Sequence, residues 1–262
     1  MQTSQTASVL ASAMHDLPVR EKSILVGLYF SKFDGDGLKT FGFGGFTEAF
    51  NVIGLTLGVR PGSIKNYRDE FDPLFPNNRK GWHQRPMRDY CKKIYDGFGG
   101  LSLENFTSLL KQTLYKDHDL DLLIEEVAES GSDTGGSFAK RLLTGQAAEQ
   151  YFMNSFRSIP TFDGLNIRDT TKLGCGFDFQ LYSPSVSLAV EVKGLNDKRG
   201  NVMLTEKEHS VASRMGERYF LFVVKNFKEK PAHELYQNPL EEGLVFTKVE
   251  QHITQTSWIT RI

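Results

Sequence analysis

The stretch Gly176-Phe-Asp178-Phe-Gln-Leu-Tyr182, followed by Ala189-Val-Glu191-Val-Lys193-Gly194, decides how this chain is read. Successive side chains on a strand point to opposite faces. Val190 and Val192 therefore face a core, and Glu191 and Lys193 face the other way, side by side. Asp178 stands on the preceding strand between Phe177 and Phe179, both expected to face the core. A hairpin through Ser183-Pro184 would bring Asp178, Glu191 and Lys193 together at one end of a sheet. The plainer alternative is a hairpin whose solvent face carries a salt bridge.

Working outward, Phe138 to Phe156 reads as a helix, with Leu142, Leu143, Ala147, Tyr151 and Phe152 near one face. Strands are expected at about 176–182 and 187–194. Thr205-Glu-Lys-Glu208 is a capping-box pattern that opens a helix to Met215. Tyr219 to Val224 is a continuous apolar run that fits a buried strand, and residues 244–249 are expected to add an edge strand. This order of helix, strand, strand, helix, strand makes a small α/β core.

The polar set suits phosphodiester hydrolysis. Carboxylates are hard oxygen ligands for Mg²⁺. That ion polarises a phosphate oxygen and acidifies a bound water. An adjacent lysine can hold the attacking water or stabilise charge growing on the phosphate.

The pattern Asp178…Glu191-Val-Lys193 resembles the signature of the PD-(D/E)XK nuclease superfamily, which includes many restriction endonucleases. That resemblance implies a restriction-endonuclease-like C-terminal core, a mixed sheet flanked by helices. It also implies metal binding at Asp178 and Glu191 and a catalytic role for Lys193. The further acid that the family often carries on the preceding helix falls at Glu149, in Gly145-Gln-Ala-Ala-Glu149, which would join the metal ligands. Phe177 stands where the family has proline. The stretch also resembles a less characterised group of this fold found in bacterial restriction and defence proteins. Its signature is Glu191-Val-Lys-Gly194, Leu204-Thr-x-x-Glu208 and Tyr219-Phe-Leu-Phe-Val-Val-Lys-Asn226. This second resemblance covers about residues 140–227 and implies that Thr205 and Glu208 line or brace the site.

The N-terminal half reads as helical. Apolar residues at Ile24, Leu25, Leu28 and Tyr29 mark one helix, and Thr47 is expected to cap another running through Ala49, Phe50, Ile53 and Leu57. Gly58 sits where a left-handed residue ends a helix. Pro61 or Ser63 opens the next helix, through Ile64, Tyr67 and Phe71, and Pro73 and Pro76 end it. Further helices are expected at about 84–97, 102–115 and 119–129. The segment Leu57 to Arg68 resembles the turn and second helix of a helix-turn-helix, which would present Ser63, Lys65, Asn66 and Arg68 to phosphates and base edges. Its alternative is an ordinary helical hairpin with a polar face. Downstream, Arg79, Lys80, Arg85, Arg88, Lys92 and Lys93 stand against the single acid Asp89, with Trp82 among them. A basic, aromatic, irregular stretch of this kind suits backbone contact with DNA.

The glycine-rich Ser130 to Ser137 reads as a break. It divides the chain into a helical DNA-recognition domain (1–130), a linker (131–137) and a nuclease domain (138–262). A length of 262 residues with 39% hydrophobic and 24% charged residues allows such a pair of packed domains. The 20 phenylalanines are read as core filler. Net charge is −1, which excludes a uniformly basic coat but not a local basic patch.

Cys91 and Cys175 form no disulfide framework, and the six histidines do not cluster at zinc spacing. No apolar run approaches a membrane span. The first 20 residues lack a signal-peptide pattern, so a cytoplasmic, bacterial setting without membrane association is expected. The expectation is a type II site-specific deoxyribonuclease: Mg²⁺-dependent, acting on double-stranded DNA as a homodimer whose symmetry matches a palindromic target. The alternatives are a repair or phage-defence nuclease working with partners, and a non-catalytic DNA-binding regulator.

Overall fold

A computed structural model describes residues 17–79, 81, 85–115, 135–241, 243–250, 258 and 260. The expected helix at 119–129 and the residues Lys80 and Trp82 lie outside the described residues, as do 130–134 of the expected break.

The helical half runs through α1 (Val19–Thr40), α2 (Phe46–Thr56), α3 (Pro61–Phe71), α4 (Asp89–Phe98) and α5 (Leu103–Leu114). α1 is kinked at Asp34, whose φ of 46° is not helical. The expected cap of α2 is corrected. Helix α2 starts one residue before Thr47, at Phe46, with extended Gly45 as the cap and no side-chain cap bond. The Glu48 carboxylate instead reaches back to accept from the Gly44 N–H at 2.6 Å. Gly58 adopts the left-handed conformation expected of it, with φ of 68°. α3 opens with Pro61 in its first turn, where a missing N–H costs nothing.

The second half begins with α6 (Gly135–Ser155), so residues 135–137 of the expected linker are helical. Five strands follow: β1 (Asn166–Asp169), β2 (Phe179–Tyr182), β3 (Ser187–Leu195), β4 (Tyr219–Lys225) and β5 (Ala232–Gln237), with α7 (Glu206–Met215) between β3 and β4. They form one mixed sheet in the order β1-β2-β3-β4-β5. β3 and β4 are parallel and the other neighbours antiparallel. A parallel pair needs a crossover, and α7 supplies it. The architecture is therefore α/β, a helical N-terminal region followed by a mixed sheet with helices against it.

Two strand expectations change. Residues 244–249 form no strand, and the edge beside β4 is taken by β5. β2 starts at Phe179 rather than 176. Gly176, with φ of 89°, turns the chain just before it.

Val190 and Val192 join the main core, together with Phe152, Phe179, Phe220 and Phe222. Ala189, on the opposite face of β3, packs with Val211, Ala212 and Tyr219 under α7. Phe177 packs against this smaller cluster, not beside Phe179 as expected. The helical and sheet halves share the main core, which runs from Ile24 to Phe227. Asn51 of α2 ties them further by donating to the carbonyls of Phe227 (2.8 Å) and Glu229 (3.0 Å).

Candidate active site

Strand alternation positions Glu191 and Lys193. Val190 and Val192 are drawn into the core, so Glu191 and Lys193 both fall on the face covered by α7. Lys193 Nζ lies 2.6 Å from Glu191 Oε1. Glu191 is only 2% exposed, which rules out a solvent-facing salt bridge.

Asp178 comes in from the end of β2. Its N–H donates to the Val190 carbonyl at 3.0 Å, and its own carbonyl accepts from the Thr170 N–H at 2.8 Å. Its carboxylate Oδ2 accepts from the Val192 N–H at 2.8 Å. The side chain thus takes a ladder position on β3 just where the backbone pairing of β2 gives out. It is held opposite Glu191.

α7 supplies the third acid. Thr205 Oγ1 accepts from the Glu208 N–H at 3.2 Å, and Glu208 Oε2 accepts from the Thr205 N–H at 2.8 Å, completing the capping box read from the sequence. The same Oε2 accepts from Lys193 Nζ at 2.9 Å. Glu149, on α6, acts on Asp178 through its charge. Gly194 lets α6 approach β3 this closely, because a Cβ there would lie 2.7 Å from the Thr144 carbonyl oxygen.

The electrostatics follow from burial and crowding. Burial, and then the charges of Glu149 and Glu208, hold Asp178 well above the usual carboxylate range, against the opposing Val192 N–H and Lys193. Burial and the Asp178 charge raise Glu191 as well, with Lys193 opposing. For Lys193, burial disfavours the ammonium, but Glu191 and Glu208 outweigh it and keep the amine charged. Burial also works against ionised Glu208, yet Lys193, the Thr205 N–H and the Glu191 carboxyl hold it below its usual range. Asp178, Glu191 and Glu208 surround one ammonium, so the cluster is short of positive charge.

That donor set fits a hard divalent cation. Among the described residues, no three His, Cys, Asp or Glu side chains are already gathered as a metal cage. Mg²⁺ itself needs only one or two carboxylates, with water and substrate oxygens completing its shell.

Residues 148–237 match the family model described as Protein NO VEIN, C-terminal. The matched stretch takes in Glu149, Asp178, Glu191, Lys193, Thr205 and Glu208, and ends with the last residue of β5. It overlaps residues 140–227, which carry the Glu191-Val-Lys-Gly194 signature. No curated protein and no solved structure matches the chain.

The residues expected to meet DNA are placed differently from one another. Lys65 and Asn66 are exposed on α3, and Ser63 is half-buried near its start. Lys65 bonds to Asp69 one helical turn on. Arg68 is buried, 2.7 Å from Asp69 and 3.8 Å from Asp72, with its guanidinium over the Phe46 ring. Arg79 bridges Asp72 and Asp34, each at 2.8 Å. Arg85 and Arg88 both grip the buried Glu70. These four arginines are therefore committed to carboxylates within the helical half, and the exposed Lys65 also pairs with one. They hold the irregular segment after α3 against α1 and α3. Asp69 and Asp72 lie within one helical turn of Arg68, but the acids that claim Arg79, Arg85 and Arg88 stand 7 to 45 positions away.

Sequence reasoning passed over one residue at the site, Tyr219. It is fully buried on the site face of β4, and its hydroxyl donates to the Gly176 carbonyl at 3.1 Å. The only sequence signal was a hydroxyl in a strand otherwise made of Phe, Leu and Val.

Proposed function

We propose that this protein is a Mg²⁺-dependent endonuclease that hydrolyses phosphodiester bonds in double-stranded DNA, built on a PD-(D/E)XK-type core. One observation carries the reading. Asp178, Glu191 and Lys193 converge at the end of a mixed sheet, Glu191 buried and the other two half-buried, short of positive charge, with the Glu208 carboxylate also on the lysine. A merely structural ion pair has no use for surplus carboxylates, whose burial costs free energy unless a cation joins them.

Asp178 and Glu191 would hold the ion, with Glu149 near enough to add its charge. When bound, Mg²⁺ supplies positive charge against the phosphate and makes water more acidic. Lys193 remains a proton-bearing ammonium, aimed by Glu191 and Glu208. From there it can orient a water or offset charge gathering on the phosphate. Glu208 fixes that aim from the rigid first turn of α7. The Val192 N–H fixes Asp178, so neither group has to be ordered during the reaction.

On this reading the helical half engages the duplex, with Ser63, Lys65 and Asn66 on α3 as the available contacts. A homodimer would place one site on each strand. Sequence-specific restriction is the setting proposed first. A repair or phage-defence nuclease working with partners shares the same chemistry. No helix among the described residues is long and apolar enough to cross a membrane.

The deciding experiment incubates plasmid DNA with the purified protein and Mg²⁺, alongside Asp178→Ala and Lys193→Ala. Discrete fragments that both substitutions abolish support site-specific cutting, and a smear supports a repair or nonspecific enzyme. If wild-type protein binds DNA but cuts neither modified nor unmodified duplex, the non-catalytic regulator replaces the nuclease.

A further inference from the structure

We propose that Tyr219 is a positioning residue for Asp178, acting through the Gly176 carbonyl. The inference rests on the nuclease reading for its consequence in catalysis, but its structural core is independent of that reading.

Tyr219 opens β4 and pairs with Ala189 of β3. The rest of the buried strand is Phe220, Leu221, Phe222, Val223 and Val224. A hydroxyl in such a place costs free energy unless it is hydrogen-bonded. Phenylalanine, which this chain uses 20 times, would fill the same space without that cost. The hydroxyl must therefore be accounted for by its one bond, the 3.1 Å donation to Gly176, whose carbonyl lies two residues before Asp178.

The segment it holds is short and turned. Gly176 has φ of 89°, and a Cβ on it would lie 2.8 Å from Val211 Cγ2 on α7. The loop is thus wedged against α7 on one side and tethered to β4 on the other. Two residues later Asp178 must set its carboxylate on the Val192 N–H, 2.8 Å away. With the tether in place, the carboxylate arrives opposite Glu191. Without it, the Gly176 carbonyl loses its partner and the turn is free to shift. Burial, and then the charges of Glu191, Glu208 and Asp178, keep the Tyr219 hydroxyl protonated, so it stays a donor.

The test is Tyr219→Phe, which keeps the ring and removes the hydroxyl. Amide exchange by NMR reads the consequence at Val192, whose N–H is bonded to the Asp178 side chain. The Val192 amide is expected to exchange about tenfold faster, while the amides of Phe222 and Val224 deeper in β4 keep their rates. Cleavage is expected to lose about tenfold in kcat with KM for DNA unchanged, because the buried hydroxyl never meets the duplex.

Phe220→Leu, in the main core on the opposite face, is the control for simple softening. It should leave the ratio of Val192 to Phe222 exchange unchanged. An unchanged Val192 rate in Tyr219→Phe overturns the proposal, and so does an equal change in Phe220→Leu. If wild-type protein does not cut DNA yet Val192 responds to Tyr219→Phe, the tether stands and the nuclease reading falls.

Discussion

Lys193 donates at 2.9 Å to the same Glu208 oxygen that accepts the Thr205 N–H at 2.8 Å. The residue that closes the cap of α7 thereby also aims the site lysine, and helix start and candidate site are one piece of structure. Glutamine can serve in a capping box but brings no charge to Lys193. Glu208→Gln is expected to leave the thermal midpoint within a few degrees of wild type and to lower Mg²⁺-dependent cleavage about 10–100-fold. Melting curves and plasmid assays on the same preparation check both halves.

Asp178 and Glu191 are held above the usual carboxylate range in the folded protein. The folded state therefore keeps protons that the unfolded chain has released. Stability from these groups is fully present below the ordinary carboxylate range and is lost as pH rises through their folded values. Metal-free protein should be less stable to urea at about pH 8 than at about pH 5.5, and Asp178→Asn should flatten that slope. Added Mg²⁺ should stabilise the protein more at the higher pH, where fewer protons must leave. A Mg²⁺ effect independent of pH would separate the ion from these carboxylates.

Glu70 behaves in the opposite sense. Burial opposes its charge, but Arg88 and Arg85 prevail and hold it down to about 2. Its contribution is present above the ordinary carboxylate range and is lost as pH falls through its folded value. Glu70→Ala leaves two partly solvated guanidiniums without their carboxylate and should cost about 1–3 kcal/mol. Urea titrations at neutral pH measure the loss. Only as pH falls through about 2 should the variant and wild type converge.

Gly194 lies against α6, where an added Cβ would stand 2.7 Å from the Thr144 carbonyl oxygen. Gly194→Ala should push α6 from β3 and destabilise by about 1–3 kcal/mol. It should also lower cleavage, because Glu149 rides on α6. Unchanged stability would mean that α6 shifts freely.

Lys65 and Asn66 are exposed on α3, whereas Arg68 is buried. Lys65→Ala should weaken DNA binding evenly across sequences, reduce the slope of log K against log salt by about 1, and leave the fold intact. Arg68→Ala should destabilise the protein outright. Fluorescence anisotropy at several salt concentrations, set beside melting curves, distinguishes the two.

The sequence by itself determined the heart of this protein. A side-chain period of two leaves Val190 and Val192 no choice but the core, so Glu191 and Lys193 must share the opposite face. The Thr205 and Glu208 spacing dictates a capping box, and Gly58 a helix end, because these are local demands of the backbone.

What only the tertiary structure decided depends on partners distant in the chain. Residues 244–249 have the composition of a strand, but β5, less apolar in sequence, is the strand that pairs with β4. Arg68, Arg79, Arg85 and Arg88 resemble DNA contacts in a linear reading. In the fold, buried Glu70 and Asp72 claim them, since an unpaired buried carboxylate is costlier than a lost surface charge. Tyr219 looked like one more apolar residue until the fold brought the Gly176 carbonyl, 43 positions away, to its hydroxyl.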